Sequence, residues 1–430
     1  MPNCKTSDLE QTSTPSFIDK DFVALKAAPT RRDFIKTMGD ALSFVGSRTA
    51  LTGSLASLPS ICAHATDARS APQDSFSEMS SSAIASSKMD GAISVHIPLW
   101  HQGGLNPDKF WNEVFQDLSA HKIHNCFLLN YYFVDPVMGT ISKQSQFNNN
   151  QAPDLAFLAR GMQVAQDRGI KASLYPVLEI DNPHQIGGIW RGNLNFFGRT
   201  LETFFQQYLK LIDDILDISL QQKSPYIFIG SELASLSHNI AARPFWEELI
   251  YRTKKKKQQK NGSHELLLIY AAHWEEYLSF PFWRHMDEIG INAYFPLSSV
   301  REAQDIGAPS QAIIQQKLDQ KLAELQKFSI QHNRPIYLTE FGLTSFNKST
   351  ATPWGTSKDA LLDFVEQANG YKALLASLKR EQLKFRENNK DPWLTGTSFW
   401  HWKLPYRHGS DYNIRPFGDL GRLIKDAVSN

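Results

Sequence analysis

Two short apolar segments of this chain each end on a glutamate. Tyr226 to Gly230 is followed by Ser231 and Glu232, and Pro335 to Thr339 is followed by Glu340. A carboxylate at the end of a buried strand costs free energy unless it is paired or its pKa is raised. Two such carboxylates can act together on an acetal carbon, one as an acid and the other as a nucleophile. The residues therefore predict hydrolysis of a glycosidic bond by Glu232 and Glu340.

The two glutamates belong to an alternation of strand-like and helix-like segments that begins near residue 91. Eight runs rich in Val, Ile, Leu, Phe and Tyr predict strands: Ala92–Leu99, Asn125–Tyr131, Lys171–Leu178, Tyr226–Gly230, Leu266–Ala272, Glu288–Tyr294, Pro335–Thr339 and Thr395–Trp400. Segments with helical spacing predict helices: Pro107–Ala120, Asp154–Arg168, Arg199–Leu220, Pro244–Lys255, Ser310–His332, Ala360–Glu387 and Leu420–Val428. The fifth and sixth strands are joined without a full helix, with at most a turn or two in Phe280–His285.

Near-continuously apolar strands that alternate with helices predict a parallel sheet covered on both faces. Eight repeats favour an α/β fold of the (β/α)8 TIM barrel type, with an open doubly wound sheet as the main alternative. In such a barrel the chemistry lies where strands end, and the fourth and seventh strands face each other across the mouth. Glu232 and Glu340 end these two strands.

The predicted strand ends carry many polar and aromatic residues. They are His96, Trp100, Asn130, Tyr131, Tyr132, Glu179, Asp181, Glu232, His273, Trp274, Asn292, Tyr294, Glu340, Trp400, His401 and Trp402. Any one of His96, Glu179, Asp181 or His401 also fits a structural role at the rim. For the two glutamates the competing interpretation is a pair of rim salt bridges with Lys or Arg.

Composition narrows the class of ligand. With Lys+Arg 45 against Asp+Glu 44, the net charge of +1 gives no field that would attract nucleic acid. Aromatic residues make up 12% of the chain, and flat ligands such as sugars stack on such rings. No His-x-His, His-Glu-x-x-His or glycine-rich phosphate loop occurs in the sequence. We therefore expect an oligosaccharide or polysaccharide substrate and neither a metal nor another cofactor.

The first 90 residues differ from the rest. Thr30-Arg-Arg-Asp-Phe-Ile-Lys36 resembles a twin-arginine export signal, and Ala63-His-Ala65 resembles a cleavage site. We predict a signal region over residues 1–65, a Ser/Ala-rich linker over 66–90 and the barrel domain over 91–430. The leader is too polar for a stable membrane span, and an unstructured tail is the alternative.

These features predict a monomer that the twin-arginine machinery exports to the periplasm or outside the cell. Cys4 and Cys62 lie in the leader, so the mature chain would keep only Cys126 and no internal disulfide.

Six segments carry a resemblance to a known family: Trp190–Gly192, Ile229–Leu233, Ile269–Trp274, Ile289–Leu297, Pro335–Gly342 and Phe399–Trp402. Among the retaining glycosidases built on this barrel, the chain resembles glycoside hydrolase family 113, the endo-β-1,4-mannanases. By position, Glu232 resembles the acid/base and Glu340 the nucleophile. Tyr294 resembles the tyrosine that holds the nucleophile, and Trp400 the floor of the sugar site. The resemblance also implies cleft-wall residues, which are Trp190, Arg191, His273 and Trp274.

One position departs from the pattern. Many members of the wider clan carry Asn immediately before the acid/base, where it binds the sugar 2-hydroxyl, but this chain has Ser231. A serine hydroxyl is shorter, so water or another residue would have to make that contact. The identity of the sugar therefore stays open at this point.

The proton balance of the pair can also be predicted. A Tyr294 hydroxyl that donates to Glu340 would keep that carboxylate ionised. Its negative charge would then raise the pKa of Glu232 toward neutrality. We expect an ionised Glu340 and a protonated Glu232.

Three functions remain open. The leading hypothesis is a retaining endo-hydrolase of β-1,4-linked mannan or glucomannan. The second keeps the mechanism but acts on a β-glucan, galactan or chitosan. The third is a carbohydrate-binding or cell-envelope protein without turnover, which would not need both glutamates.

Overall fold

The computed structural model describes residues 93–99, 106–147, 150–181, 190–260, 265–355, 359–388, 392–403 and 412. Its strands are β1 (Ile93–Ile97), β2 (Asn125–Val134), β3 (Ile141–Ser142), β4 (Lys171–Ile180), β5 (Tyr226–Ser231), β6 (Leu267–His273), β7 (Glu288–Asn292), β8 (Ile336–Phe341) and β9 (Leu394–Phe399). Its helices are α1 (Pro107–Ala120), α2 (Leu155–Gln166), α3 (Gly198–Gln221), α4 (Ala234–His238), α5 (Arg243–Lys260), α6 (Gln311–His332) and α7 (Phe364–Asn388). In this part of the chain, none of the helices has the length and apolar character needed to cross a membrane.

Eight parallel strands form one curled sheet. Backbone pairing runs in the order β4-β2-β1-β9-β8-β7-β6-β5, and the short β3 adds antiparallel to β2. β4 lies beside β5, which closes the barrel. At this junction the Tyr226 N–H donates to the Ser173 hydroxyl at 3.2 Å, and the Ser224 hydroxyl donates to the same oxygen at 3.0 Å.

Side chains separate into two cores because neighbouring residues of a strand point to opposite faces. The smaller core fills the barrel interior, as in other barrels of this type. Its buried members are Phe127, Leu129, Tyr131, Tyr175, Val177, Phe228, Ile269, Ala271 and Tyr337. The larger core lies between the strands and the surrounding helices.

The helices begin and pack as their sequences suggest. In α1, Pro107 occupies the first turn, and the side chain of Asn106 caps the helix by accepting the Lys109 N–H at 3.0 Å. The buried residues of α1 recur every three or four positions and include Trp111 and Phe115. This stripe holds the helix against the sheet.

The predicted (β/α)8 barrel is confirmed, and the open doubly wound alternative is wrong. All eight predicted strands are present with ends shifted by a few residues, as are the six predicted helices up to α7. The fifth and sixth barrel strands are joined through a single 3-10 turn, Trp283–His285. Sequence analysis missed β3 and α4, which are a two-residue and a five-residue element.

Several predictions fall outside the described residues. These are the signal region, the linker, Cys4, Cys62, Trp100 and the last predicted helix, Leu420–Val428. Cys126 lies in β2, where it is buried with a free thiol.

Candidate active site

Two buried carboxylates lie at the carboxyl edge of the barrel. Glu232 directly follows β5 and Glu340 is the penultimate residue of β8, with exposed fractions of 6% and 7%. Since β3 lies outside the closed sheet, β5 and β8 are the fourth and seventh barrel strands. The structure therefore brings the two glutamates to the same end of the barrel.

Asn292, at the end of β7, lies between the two carboxylates. Its Nδ2 donates to Glu232 Oε1 at 3.0 Å, and its Oδ1 accepts the Thr339 hydroxyl at 2.8 Å. The Tyr175 hydroxyl is 3.2 Å from the same Oδ1 and 2.7 Å from Glu340 Oε1. One amide and one phenol thus connect the two glutamates.

Glu340 accepts hydrogen bonds from two phenols. Tyr294, which follows β7, donates to Oε2 at 2.9 Å, as the resemblance led us to expect. Tyr175, from the middle of β4, donates to Oε1 at 2.7 Å and also contacts the Ser231 hydroxyl at 3.0 Å. The sequence analysis did not predict that Tyr175 contacts Glu340, because a tyrosine inside an apolar strand is typical of the hydrophobic core. Ser231 is 4% exposed, and its hydroxyl also lies 3.4 Å from Asn292 Nδ2.

Glu232 accepts hydrogen bonds from nitrogen donors. Arg191 donates from one terminal nitrogen to Oε2 at 2.9 Å, and the Trp190 indole donates to the same oxygen at 3.2 Å. The other terminal nitrogen of Arg191 donates to Glu179 Oε1 at 2.7 Å. With Asn292 on Oε1, both oxygens of Glu232 face N–H groups.

The backbone at Glu232 is held in an uncommon conformation. Its φ of 54° lies in the left-handed region, which is unfavourable for a residue with a side chain. The next N–H, of Leu233, donates to the Tyr270 hydroxyl at 2.7 Å, and that hydroxyl donates to Glu276 at 2.8 Å. Glu276 also accepts the His273 N–H at 3.1 Å. Tyr270 and Glu276 therefore fix the loop that presents Glu232.

The proton balance is the reverse of the one expected from the sequence. Burial, followed by the negative charge of Glu232, raises the pKa of Glu340 to about 8. Burial also favours a higher pKa for Glu232, but His273, Arg191 and the donors from Asn292 and Trp190 outweigh it and lower that pKa. Burial lowers the pKa of His273, so the positive charge beside Glu232 at neutral pH is that of Arg191. The two shifts run in opposite directions, so the surroundings favour ionisation of Glu232 over ionisation of Glu340.

Aromatic rings extend from Glu232 along one wall of the site. The centroid of the Trp190 ring is 4.7 Å from that of His273, and His273 is 5.4 Å from Trp274. Trp274 stacks on Trp354 with a centroid distance of 5.2 Å and an interplanar angle of 16°. We call Trp190, His273, Trp274 and Trp354 the aromatic strip. Trp354 was not predicted, because it lies in the loop between β8 and α7 and not at a strand end.

Trp400, which follows β9, is half-buried against the interior core. Its ring lies 5.1 Å from that of His96, whose Nε2 is 2.8 Å from the Thr339 carbonyl oxygen. Burial lowers the pKa of His96 to about 3, so its ring is neutral and supports Trp400 by packing.

Other predicted rim residues have structural contacts. Asp181 accepts the Ser145 hydroxyl at 2.7 Å, and the Trp402 indole donates to Asp117 at 2.8 Å. Tyr132 accepts a hydrogen bond from Asn130 at 3.1 Å and packs in the outer core. The remaining rim residues, Tyr131 and His401, are buried. Across the described ranges, no group of three or more His, Cys, Asp or Glu side chains is arranged to hold a metal ion.

Comparison with known proteins gives a family and a fold. The model of glycoside hydrolase family 113 matches residues 112–413. A solved family 113 β-mannanase from Alicyclobacillus acidocaldarius is 18% identical with a TM-score of 0.59, covering 79% of this chain and 96% of the other. A family 113 β-1,4-mannanase solved as a complex is 19% identical with a TM-score of 0.57, covering 78% and 98%.

A further structure of a family 113 β-1,4-mannanase is 18% identical with a TM-score of 0.58, covering 79% of this chain and 99% of the other. At these identities the likeness shows a shared fold. No match was found among curated proteins.

Proposed function

Because the chain belongs to glycoside hydrolase family 113, and is thus an O-glycosyl hydrolase, we propose that it is a retaining endo-hydrolase of β-1,4-linked mannan or glucomannan. Glu340 is the nucleophile and Glu232 the acid/base. The observation that carries this assignment is the placement of two buried carboxylates on facing barrel strands, joined through Asn292 and Tyr175.

The reaction takes place in two displacements. In the first, the Glu232 carboxyl gives its proton to the glycosidic oxygen and the bond to the anomeric carbon breaks. A Glu340 oxygen forms a bond to that carbon, giving a covalent glycosyl-enzyme. In the second, Glu232 takes a proton from water, the water oxygen attacks the anomeric carbon, and the Glu340 carboxylate is released. Tyr175 and Tyr294 hold the two oxygens of Glu340 in place for both steps.

The first displacement needs a proton on Glu232, whereas the surroundings of the two glutamates favour the proton on Glu340. The reactive form, with Glu232 protonated and Glu340 ionised, is then the less populated of the two singly protonated forms of the pair. As Glu340 forms its bond to carbon it loses its negative charge, so the charge that opposes ionisation of Glu232 disappears. Glu232 is consequently well suited to act as the base in the second displacement.

We propose mannan as the substrate because of the proteins that this chain resembles. The structures quoted above are named as β-mannanases, and the aromatic strip supplies rings on which sugar units can stack. Ser231 leaves the contact to the 2-hydroxyl unassigned, so a β-glucan, galactan or chitosan is the alternative substrate. A binding protein without turnover is disfavoured because it has no use for two buried, costly carboxylates.

The test is release of reducing ends from mannan, glucomannan, cellulose and chitosan. We expect mannan or glucomannan to be cleaved, Glu340→Ala to be reduced to background, and Glu232→Ala to lose about 10²- to 10⁴-fold. With an activated aryl glycoside and azide, Glu232→Ala should form a glycosyl azide of retained configuration. Glu340→Ala should form one of inverted configuration.

Glu248→Ala is the matched control, since Glu248 is a glutamate of α5 in a surface pair with Arg252. Its activity should equal that of the wild type. Wild-type cleavage by Glu340→Ala would remove the assigned nucleophile, and inverted products from the wild type would remove the retaining mechanism. Binding of all four polymers without release would establish the binding protein.

A further inference from the structure

Arg191 is fixed between two carboxylates. Its guanidinium donates to Glu179 at 2.7 Å and to Glu232 at 2.9 Å, and its Nε donates to the Leu178 carbonyl oxygen at 2.9 Å. The side chain of Glu179 is 42% exposed and that of Glu232 is 8% exposed. Arg191 therefore pairs at the same time with Glu232, which is buried in the site, and with Glu179, which is partly exposed at the edge of the site.

The donors around Glu232 differ in kind from those around Glu340. Guanidinium and indole nitrogens can donate but not accept, so Arg191 and Trp190 leave no acceptor for a proton on Glu232 Oε2. The amide of Asn292 is oriented by the Thr339 hydroxyl on its oxygen, so its NH2 group faces Glu232 Oε1. The phenols on Glu340 can donate or accept and tolerate either charge state. This geometry favours the anionic form of Glu232.

We propose that Glu179 and Arg191 form a positioning pair that sets the charge of Glu232 and thereby the pH range of the reaction. The inference rests on the proposed function, in which Glu232 is the acid/base. Arg191 opposes the protonated acid of the first displacement and favours the carboxylate base of the second. The negative charge of Glu179 partly neutralises that of Arg191. It therefore weakens both the opposition to a protonated Glu232 and the stabilisation of its carboxylate.

Other ionisable groups face the pair from several elements. They are Tyr131 of β2, Tyr175 of β4, His273 of β6, Glu276, Tyr294 and Glu340 of β8. Burial keeps the tyrosines and His273 neutral near pH 7, and it raises the pKa of Glu276 to about 7. The charge of Arg191 also lowers the pKa of Glu340 and that of His273, so both groups are titrated beside Glu232 in every variant.

The two members should act in opposite directions. Arg191→Met removes the cation, so Glu232 should titrate about one pH unit or more higher. Glu179→Gln leaves Arg191 wholly to Glu232, so Glu232 should titrate lower, by less because Glu179 is partly exposed. The measurement is a ¹³C NMR titration of glutamate carboxyl carbons, in which Glu232 is assigned by its absence in Glu232→Gln. In the pH profile of kcat/KM, the acid limb should move the same way, since Glu232 titrates below Glu340.

Two further variants serve as controls: Arg191→Lys for the charge of Arg191, and Arg243→Met for loss of an arginine on the surface. Arg191→Lys keeps the charge and should hold the Glu232 titration near its wild-type pH, whereas a purely structural role predicts equal effects of Lys and Met. Arg243 pairs with Glu247 on the surface, and Arg243→Met should leave the titration unchanged.

Shifts in the same direction for Arg191→Met and Glu179→Gln, or no shift in either, would overturn the proposal. The NMR titration needs no turnover. It therefore tests the positioning pair even if no polysaccharide is cleaved, an outcome that would instead count against the proposed function.

Discussion

Glu340 accepts from two phenols and Glu232 from three nitrogen donors, and this contrast separates two residues of the same type. A phenol stabilises a carboxylate through one neutral hydrogen bond, whereas a guanidinium adds a full positive charge. Burial then raises the pKa of Glu340 to about 8, while Arg191 contributes to lowering that of Glu232. The chemical difference between the two glutamates comes from their neighbours.

Replacement of one phenol should change both rate and pH profile. The Tyr175 hydrogen bond lowers the pKa of Glu340, so in Tyr175→Phe that pKa should rise above about 8 and the basic limb of kcat/KM should move to higher pH. Loss of a hydrogen bond to a charged group should also reduce kcat/KM about 10- to 100-fold. Tyr208→Phe is the matched control, because its buried hydroxyl bonds to the Ile229 carbonyl oxygen outside the site. An unmoved basic limb in Tyr175→Phe would contradict this role.

The sequence predicted which residues belong to the candidate site but not which of them form hydrogen bonds with one another. Glu232, Glu340 and Tyr294 could be found because each follows or ends an apolar strand. Tyr175 could not, since its signal is that of a core aromatic in β4. The order of the two pKa values differs from the expected one because it depends on how close His273 and Arg191 lie to Glu232, and both come from other strands or their loops.

The loop between β8 and α7 carries the outer end of the aromatic strip. Glu366, in the first turn of α7, accepts the N–H of Lys348 at 2.9 Å and that of Thr350 at 2.8 Å. The carbonyl oxygen of Thr350 accepts the Leu297 N–H at 2.6 Å, which ties this loop to the segment after β7. The helix thus fixes the loop that carries Trp354.

Removal of the Trp354 ring should weaken binding of long substrates. A sugar that covers roughly 40 Å² of the Trp354 ring gains about 1 kcal/mol at about 25 cal/mol per Å². Trp354→Ala should therefore raise KM for mannan about 5-fold with little change in kcat. A short aryl glycoside should be hydrolysed as by the wild type. Tyr251→Ala, which removes a 59%-exposed ring from α5, is the control and should change neither substrate. An equal rise of KM for both substrates would contradict a remote subsite.

Strands were predicted more accurately than loops for a physical reason. The eight barrel strands carry apolar runs that burial on both faces requires, so their positions are encoded locally. The position of Trp354 depends on Glu366 and on the segment near Leu297, which are contacts between elements. The short β3 and α4 carry too few residues for a periodic pattern.

The two ends of the barrel have different roles. The carboxyl ends of the strands carry the candidate active site, and the amino ends close the structure. Glu288, the first residue of β7, is buried at the amino end and accepts the Thr395 hydroxyl at 3.1 Å. Burial raises its pKa to about 7, although it has no place in the proposed chemistry.

Glu288 should make the folded state less stable as the pH rises. Its folded pKa of about 7 exceeds the ordinary value of 4.5, so the stability it contributes is complete below pH 4.5 and is lost as the pH rises through 7. The change is on the order of 3 kcal/mol at pH 8. Glu288→Gln cannot ionise, so its Tm should exceed that of the wild type at pH 8 and differ less between pH 5 and pH 8. Glu247→Gln, in a surface pair with Arg243, should behave as the wild type. If Glu288→Gln loses as much stability between pH 5 and pH 8 as the wild type does, Glu288 is not the group responsible.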